Sequence, residues 1–249
     1  MPFDADRFED LGGGAVVQVR LLFEVERFLV PSEAMSGRRQ QVWRHVDELR
    51  VAPATSALLA SNGFRIGVMP LARYEELRIL LDELGARSER ATHPVTQGVP
   101  LTLDLGALGD RETVFIIKPD GQLVGRTFEN ATRLLHVDYD VLPGDEALTA
   151  LRVTPEIFKQ SEHPYWRIRD GDVGYHKDYQ GVLYRDFAVQ IATGRDEVLV
   201  IGTREGDHNP LTLGGKMLSE TIEGRRWESI LCVRPSLYRE GKLDASGAE

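Results

Sequence analysis

Residues 15–30, AVVQVRLLFEVERFLV, decide the fold of this chain. Apolar and polar side chains alternate along them with a period of two, which is typical of a β-strand with one buried face. The predicted apolar face carries Val17, Val19, Leu21, Phe23, Val25 and Leu29, and the predicted polar face carries Gln18, Arg20, Glu24 and Glu26. A strand of about 14 residues is longer than usual and indicates an extended sheet, or a sheet that a partner continues.

Helical spacing follows this strand. Ser36 is predicted to cap a helix through residues 38–49, and Pro53 to begin a second helix that ends at Asn62 and Gly63. A strand at 64–70 and a helix at 71–85 complete a β-α-α-β-α unit, and a candidate strand follows within residues 90–98. This unit is predicted to cover residues 15–98.

Beyond residue 98 the sequence consists of strand-like runs separated by turns, with almost no helical signal. The Asp120-Gly121 pair between two apolar runs predicts a hairpin. The pattern predicts an α+β protein in which a mainly antiparallel β-sandwich or partly open barrel, residues 99–240, follows the first unit. Residues 1–14 are expected to be flexible, and residues 241–249 to be a disordered tail.

Composition narrows the class of protein. Of 249 residues, 42% are hydrophobic and 28% charged, which is typical of a soluble globular chain. The net charge of −9 disfavours a nucleic-acid partner, and no apolar run is long enough for a membrane span. Cys232 is the one cysteine, in an apolar run where a buried hydrophobe is expected. The compartment is left open: the bacterial envelope or periplasm if a leader has been removed, otherwise the cytoplasm.

Residues 134–141, LLHVDYDV, raise the question of a metal site. Alternate residues of a strand lie about 6.6 Å apart, so His136, Asp138 and Asp140 cannot all bind one ion. His136 and Asp138 could supply two ligands to a site completed by His176 or His208. The sequence favours the other interpretation, in which this is the solvated face of an amphipathic strand. Its inward face would carry Leu135, Val137, Tyr139 and Val141.

Aromatic residues cluster between positions 163 and 184, where they predict a recognition surface for a ligand or protein. The candidate residues are Tyr165, Trp166, Tyr175, His176, Tyr179 and Tyr184. Asp207, His208 and Asn209, and separately Glu156, could do acid–base work, but neither has a partner at a fixed spacing. No catalytic residue is assigned and no cofactor is expected.

Three segments of the C-terminal half, LRVTPEI, FAVQIATGRDEVLVIGT and SILCVRPSL, resemble the last strands of the secretin family, the outer-membrane ring proteins of secretion systems. The matching positions are Pro155, Glu156, Ile157, Val200, Ile201, Gly202 and Pro235. The resemblance implies that these strands are adjacent and antiparallel in one sheet, in a secretin-like β-module that lacks the membrane-inserting hairpin.

Two functions are therefore considered. The favoured hypothesis is a non-enzymatic structural or protein-interaction component, of a bacterial envelope or secretion-type assembly, that binds protein partners or itself. The alternative is a metal-dependent or hydrolase-like enzyme with a site in the β-rich half, around His136 and Asp138 or around His176, Asp178 and His208.

Overall fold

The computed structural model describes residues 19–95, 99–141, 148–159, 165–169, 172–176, 181–204 and 210–239. The strands are β1 (Val19–Pro31), β2 (Phe64–Pro70), β3 (Arg87–Val95), β4 (Leu101–Ala107), β5 (Arg111–Ile117), β6 (Leu123–Glu129), β7 (Ala131–Val141), β8 (Leu148–Lys159), β9 (Tyr165–Arg169), β10 (Asp172–His176), β11 (Val182–Leu183), β12 (Val189–Gly194), β13 (Glu197–Thr203), β14 (Ser219–Ile222) and β15 (Arg225–Arg239). The α-helices are α1 (Ser32–Met35), α2 (Arg39–Val42), α3 (Pro53–Ser61), α4 (Tyr74–Glu83) and α5 (Leu213–Met217).

Two larger sheets organise these elements. A six-stranded sheet has the order β2-β13-β15-β1-β3, with β14 also paired to β15. A five-stranded sheet has the order β11-β8-β7-β4, with β12 also paired to β8. The pairs β5-β6 and β9-β10 form separate hairpins, and every described strand ladder is antiparallel. The predicted α+β class is confirmed, and the sheets do not close into a barrel.

The six-stranded sheet joins distant parts of the sequence. It takes β1, β2 and β3 from the first predicted unit and β13, β14 and β15 from the second. The proposed boundaries at residues 15, 99 and 241 stay a prediction.

Strand β1 is buried on both faces, each over a different half of its length. Leu21 and Phe23 enter a core shared with the five-stranded sheet, where the Phe23 ring meets the Tyr139 ring edge-on at 5.4 Å. Phe28 and Val30, on the opposite face, enter a second core beneath α1, α2 and α4. The order of layers is therefore helices α1, α2 and α4, then the six-stranded sheet, then the five-stranded sheet.

The prediction for the polar face of β1 is wrong at one residue. Glu26 is 4% exposed and lies on the helix-covered side of the strand. The Tyr74 hydroxyl donates to its Oε2 at 2.6 Å, and Arg78 Nε lies 3.5 Å from its Oε1. Helix α4 thus brings the partners that a buried carboxylate needs.

The other local predictions have mixed outcomes. The long helix over residues 38–49 is wrong: the chain forms only α2 there, followed by a 3-10 turn at Glu48–Arg50, since Asp47 pairs with Val68 in a bridge to β2. Helices α3 and α4 and strand β2 are confirmed. The hairpin at Asp120-Gly121 is also confirmed: β5 pairs with β6, and Gly121 has a φ of 83° that favours glycine.

The strands that carry the secretin resemblance do not share one sheet. β8, which contains Pro155, pairs with β12 in the five-stranded sheet, whereas β13 pairs with β15 in the six-stranded sheet. The expectation of a single sheet is wrong because the turn between β12 and β13 carries the chain from one sheet to the other.

A buried ion pair ties α2 to the six-stranded sheet. Arg39 donates to both carboxylate oxygens of Glu228, with Nη2 3.0 Å from Oε1, and the Thr203 hydroxyl also donates to this carboxylate. Burial raises the pKa of the Glu228 carboxyl, but the hydrogen bonds from Arg39 and Thr203 outweigh burial and hold the pKa below its ordinary value.

We expect Arg39→Met to lower the free energy of unfolding by about 3–5 kcal/mol, because it leaves the Glu228 carboxylate buried without its cation. Urea denaturation at pH 7 measures the loss. The control is Arg39→Met combined with Glu228→Leu, which removes both charges and should lose less stability than Arg39→Met alone. Equal losses would contradict the role given to the pair.

The same pair predicts a pH dependence. Because the folded-state pKa of Glu228 lies below its ordinary value of 4.5, the pair stabilises the fold above about pH 4.5, and this contribution is lost as the pH falls through the folded-state pKa. The difference in unfolding free energy between the native chain and Glu228→Gln should therefore shrink as the pH is lowered from 6 to 3.

Candidate functional site

The strand that contains His136 has one buried face and one polar face. On β7, Leu135 and Val137 are fully buried, whereas Asp138 and Asp140 are exposed. His136 lies between these extremes, with 21% of its side chain exposed. The polar face of β7 is thus solvated at one end and covered at the other.

His136 links three neighbouring strands through its ring nitrogens. It lies directly opposite Thr102 of β4, and a hydrogen bond of 3.1 Å joins the Thr102 hydroxyl to Nδ1. Its Nε2 hydrogen-bonds to the Glu156 carboxylate on β8. Glu156 lies opposite Leu134, two residues from His136 on the same face of the sheet, which is a diagonal that these side chains can span.

Glu156 is the member of this group that most needs a partner, because its carboxylate is buried. Its side chain is 1% exposed, and its Oε1 atom has no hydrogen-bond partner among the described residues. A buried carboxylate is costly unless it is protonated or paired, so the imidazole of His136 supplies the one described partner that can share a proton with it. Sequence reasoning considered Glu156 without finding this partner, because the partner follows from strand register.

The metal hypothesis stays a prediction. Within the described ranges no group of three or more His, Cys, Asp or Glu side chains could hold an ion. The backbone of His176 ends β10, but neither its side chain nor any part of His208 falls within what the structure describes.

The aromatic surface is described in part. In the β9-β10 hairpin Trp166 lies opposite Tyr175, and Tyr165 lies opposite His176. Tyr184 belongs to the core instead: it is 8% exposed and meets the Phe187 ring edge-on at 6.2 Å, and burial raises the pKa of its hydroxyl. Tyr184 therefore contributes little area to an exposed surface. Tyr179 lies outside the described residues, and a recognition role for the hairpin stays a prediction.

A different surface is the outer edge of the six-stranded sheet, which strand β3 forms. β3 pairs with β1 over nine residues and is the last of the described strands on that side of the sheet. Its first six side chains, Arg87 to Thr92, are exposed, and Pro94 is exposed as well. The sequence predicted only a candidate strand within residues 90–98, and the pairing with β1 sets the observed strand at Arg87–Val95.

The opposite edge of the same sheet is covered. Val68 of β2 exchanges two backbone hydrogen bonds with Asp47, of 2.7 and 3.1 Å, so the segment that enters the 3-10 turn occupies this edge. Exposed strand edges present unpaired backbone groups to other chains, and natural proteins usually protect them. Strand β3 is protected from unspecific pairing by its charged side chains and by Pro94. These residues restrict which strand can pair with it.

Contacts within the sheet hold β3 in place. The Arg87 guanidinium lies 4.6 Å from the centre of the Trp227 ring, and Arg90 donates to Glu24 of β1 at 2.8 Å. Both cations are therefore fixed against the body of the protein. These contacts join β3 to β15 and to β1.

Comparison with known proteins finds only distant structural similarity. No family model and no curated protein matches the chain. Two solved structures are distantly similar: the Klebsiella pneumoniae type II secretion system outer membrane complex of PulD, PulS and PulC HR domain, with 12% identity and a TM-score of 0.20, and the V. cholerae type IV competence pilus secretin PilQ, with 12% identity and a TM-score of 0.23. The match covers 90% of this chain and 39% of the first structure, and 88% and 60% for the second. This is a weak resemblance to secretin-related structures, and no function follows from it.

One further finding concerns membranes: none of the described helices combines the length and the apolar character needed to cross a bilayer.

We expect His136→Leu to lower the free energy of unfolding by about 1–3 kcal/mol at pH 7, because it leaves the buried Glu156 carboxylate without its partner. Asp138→Asn, on the exposed part of the same strand, is the matched control and should change stability by less than about 0.5 kcal/mol. Adding Glu156→Met to His136→Leu should recover part of the loss. If the two single variants behave alike in urea denaturation, the His136–Glu156 contact does not stabilise the fold.

Proposed function

We propose that this protein is a non-enzymatic interaction component that binds a protein partner by adding a strand to the β3 edge of its six-stranded sheet. The observation that carries the proposal is strand β3: nine paired residues, exposed side chains and an outer edge that no described strand occupies. Strand addition uses the main chain for affinity and alternate side chains for specificity.

The geometry of Pro94 supports an edge that is open to pairing. Proline lacks an N–H and occurs in sheets where that position faces away from the neighbouring strand. Pro94 therefore indicates that residues 88, 90, 92 and 94 direct their backbone groups outward. Ser88, Arg90 and Thr92 then offer both an N–H and a C=O to an added strand.

An envelope or secretion-type assembly is the setting we propose for this interaction. Its support is the sequence resemblance of residues around Pro155, Val200 and Pro235 to the secretin family. The compartment and the partner are part of the proposal.

Photocrosslinking in cells that produce the protein tests the β3 edge. A photoreactive amino acid at Ser88 should give a defined adduct with a protein, whereas the same group at Glu83, exposed on α4, should not. Thr92→Pro should abolish the Ser88 adduct, since it removes one outward N–H and leaves the pairing with β1 intact. Circular dichroism checks that this variant folds. Equal labelling at Ser88 and Glu83, or an adduct that survives Thr92→Pro, would overturn the proposal.

The second candidate function is a hydrolase-like activity, favoured by one observation. The hydroxyl of Thr102, the imidazole of His136 and the carboxylate of Glu156 form a hydrogen-bonded chain in the order that nucleophile, base and orienting acid take in hydrolases. Hydrolysis of p-nitrophenyl esters that Thr102→Ala abolishes and Asp138→Asn leaves unchanged would favour this candidate. Hydrolysis that both variants retain would reject it.

A further inference from the structure

Two ionisable side chains of the β3 edge have no ion-pair or hydrogen-bond partner within the part of the chain that the structure describes. Arg87 stacks on Trp227 and Arg90 pairs with Glu24. Glu89 and His93, by contrast, make no ion pair or side-chain hydrogen bond with any described residue. Both are odd-numbered, so they lie on the same face of the strand, on either side of Ala91.

A second copy of the same strand satisfies both groups. A two-fold axis perpendicular to the sheet pairs two antiparallel copies of β3 and keeps each face continuous across the contact. When the axis passes through Ala91, all nine residues of β3 are paired, and Glu89 of each copy lies directly opposite His93 of the other. Imidazole and carboxylate can then share a hydrogen bond, or an ion pair when the imidazole is protonated.

Neighbouring registers either place like charges opposite each other or pair fewer residues of β3. An axis through Glu89 places two carboxylates opposite each other, and an axis through Arg90 does the same with two guanidinium groups, which is destabilising. An axis through Ser88 pairs Arg87 with Glu89 favourably but leaves most of β3 unpaired. An axis through Ala91, which has a small side chain, pairs the whole of β3 and places no like charges opposite each other.

The backbone agrees with this register. With even-numbered residues directed outward, Arg90 and Thr92 of opposite copies exchange N–H and C=O groups, and Ala91 occupies a position that needs no hydrogen bond across the axis. The missing N–H of Pro94 falls opposite Ser88, at the end of the ladder, where its loss costs least.

We infer that the partner of the β3 edge is a second copy of this chain, paired antiparallel about Ala91 so that the six-stranded sheets of two copies become continuous. The inference rests on the proposed function and deepens it by naming the partner and the register. Because Glu89 and His93 are complementary, the edge favours pairing with β3 of a second copy.

Sedimentation equilibrium of the purified full chain tests the inference through a charge swap. The native chain should form a reversible dimer. Glu89→Lys places like charges opposite each other when His93 is protonated and removes the hydrogen bond when it is neutral, so it should raise the dimer Kd by about tenfold. His93→Glu places two carboxylates opposite each other and should do the same. The double variant, Glu89→Lys with His93→Glu, restores complementary pairs and should recover most of the affinity.

Glu83→Lys, on the exposed face of α4, makes the same change of charge away from the edge and should leave the Kd unchanged. A monomeric native chain, or a double variant no tighter than the single variants, would overturn the inference. A monomeric chain that still gives a Ser88 adduct with another protein would overturn self-pairing and leave the proposed function standing. A monomeric chain that gives no adduct at Ser88 would overturn both self-pairing and the proposed function.

Discussion

Burial of strand β1 on both of its faces is the constraint on which the architecture depends. Leu21, Phe23 and Val25 must be covered on one side, and Phe28 and Val30 on the other. One sheet or one layer of helices cannot do both. The five-stranded sheet covers the first set and helices α1, α2 and α4 cover the second, which fixes the three layers and makes β1 an interior strand between β15 and β3. An interior β1 leaves β3 at the edge.

Covering β1 and its neighbours also buries charged side chains, and several of them have specific hydrogen-bond partners. Glu26 receives a hydrogen bond from Tyr74, Glu228 is held by Arg39 and Thr203, and Glu156 contacts His136. Arg133 donates to the backbone carbonyls of Leu105, Gly106 and Ser219. Such contacts add little net stability compared with apolar packing, but they make misregistered strand pairings costly because a slipped register leaves a charge unpaired.

The two candidate sites differ in what they require of the fold. The Thr102–His136–Glu156 chain is a product of interior packing, since a buried carboxylate calls for a partner whether or not any chemistry takes place. The β3 edge is different, because its side chains are exposed and two of them, Glu89 and His93, make no ion pair or side-chain hydrogen bond with any residue that the structure describes. For this reason the edge, and not the histidine strand, carries the functional proposal.

Local patterns in the sequence determined the elements that depend on neighbouring residues. The period-two alternation of β1, the helical spacing of α4 and the Asp120-Gly121 turn each predicted the observed element, because burial of one face or the geometry of one turn is encoded within a few residues. The helix expected over residues 38–49 failed because its end pairs with β2, a competing interaction from more than 20 residues away.

Only the tertiary structure decided which strands are neighbours, and with them the sites. Glu156 and His136 are 20 residues apart, and a one-residue change of register would have placed them on opposite faces. Likewise, residues 87–95 could be recognised as a candidate strand in part, but their place at the edge follows from the order β15-β1-β3. Strand order and register are set by the summed packing of the whole sheet, and no local pattern of side chains contains that information.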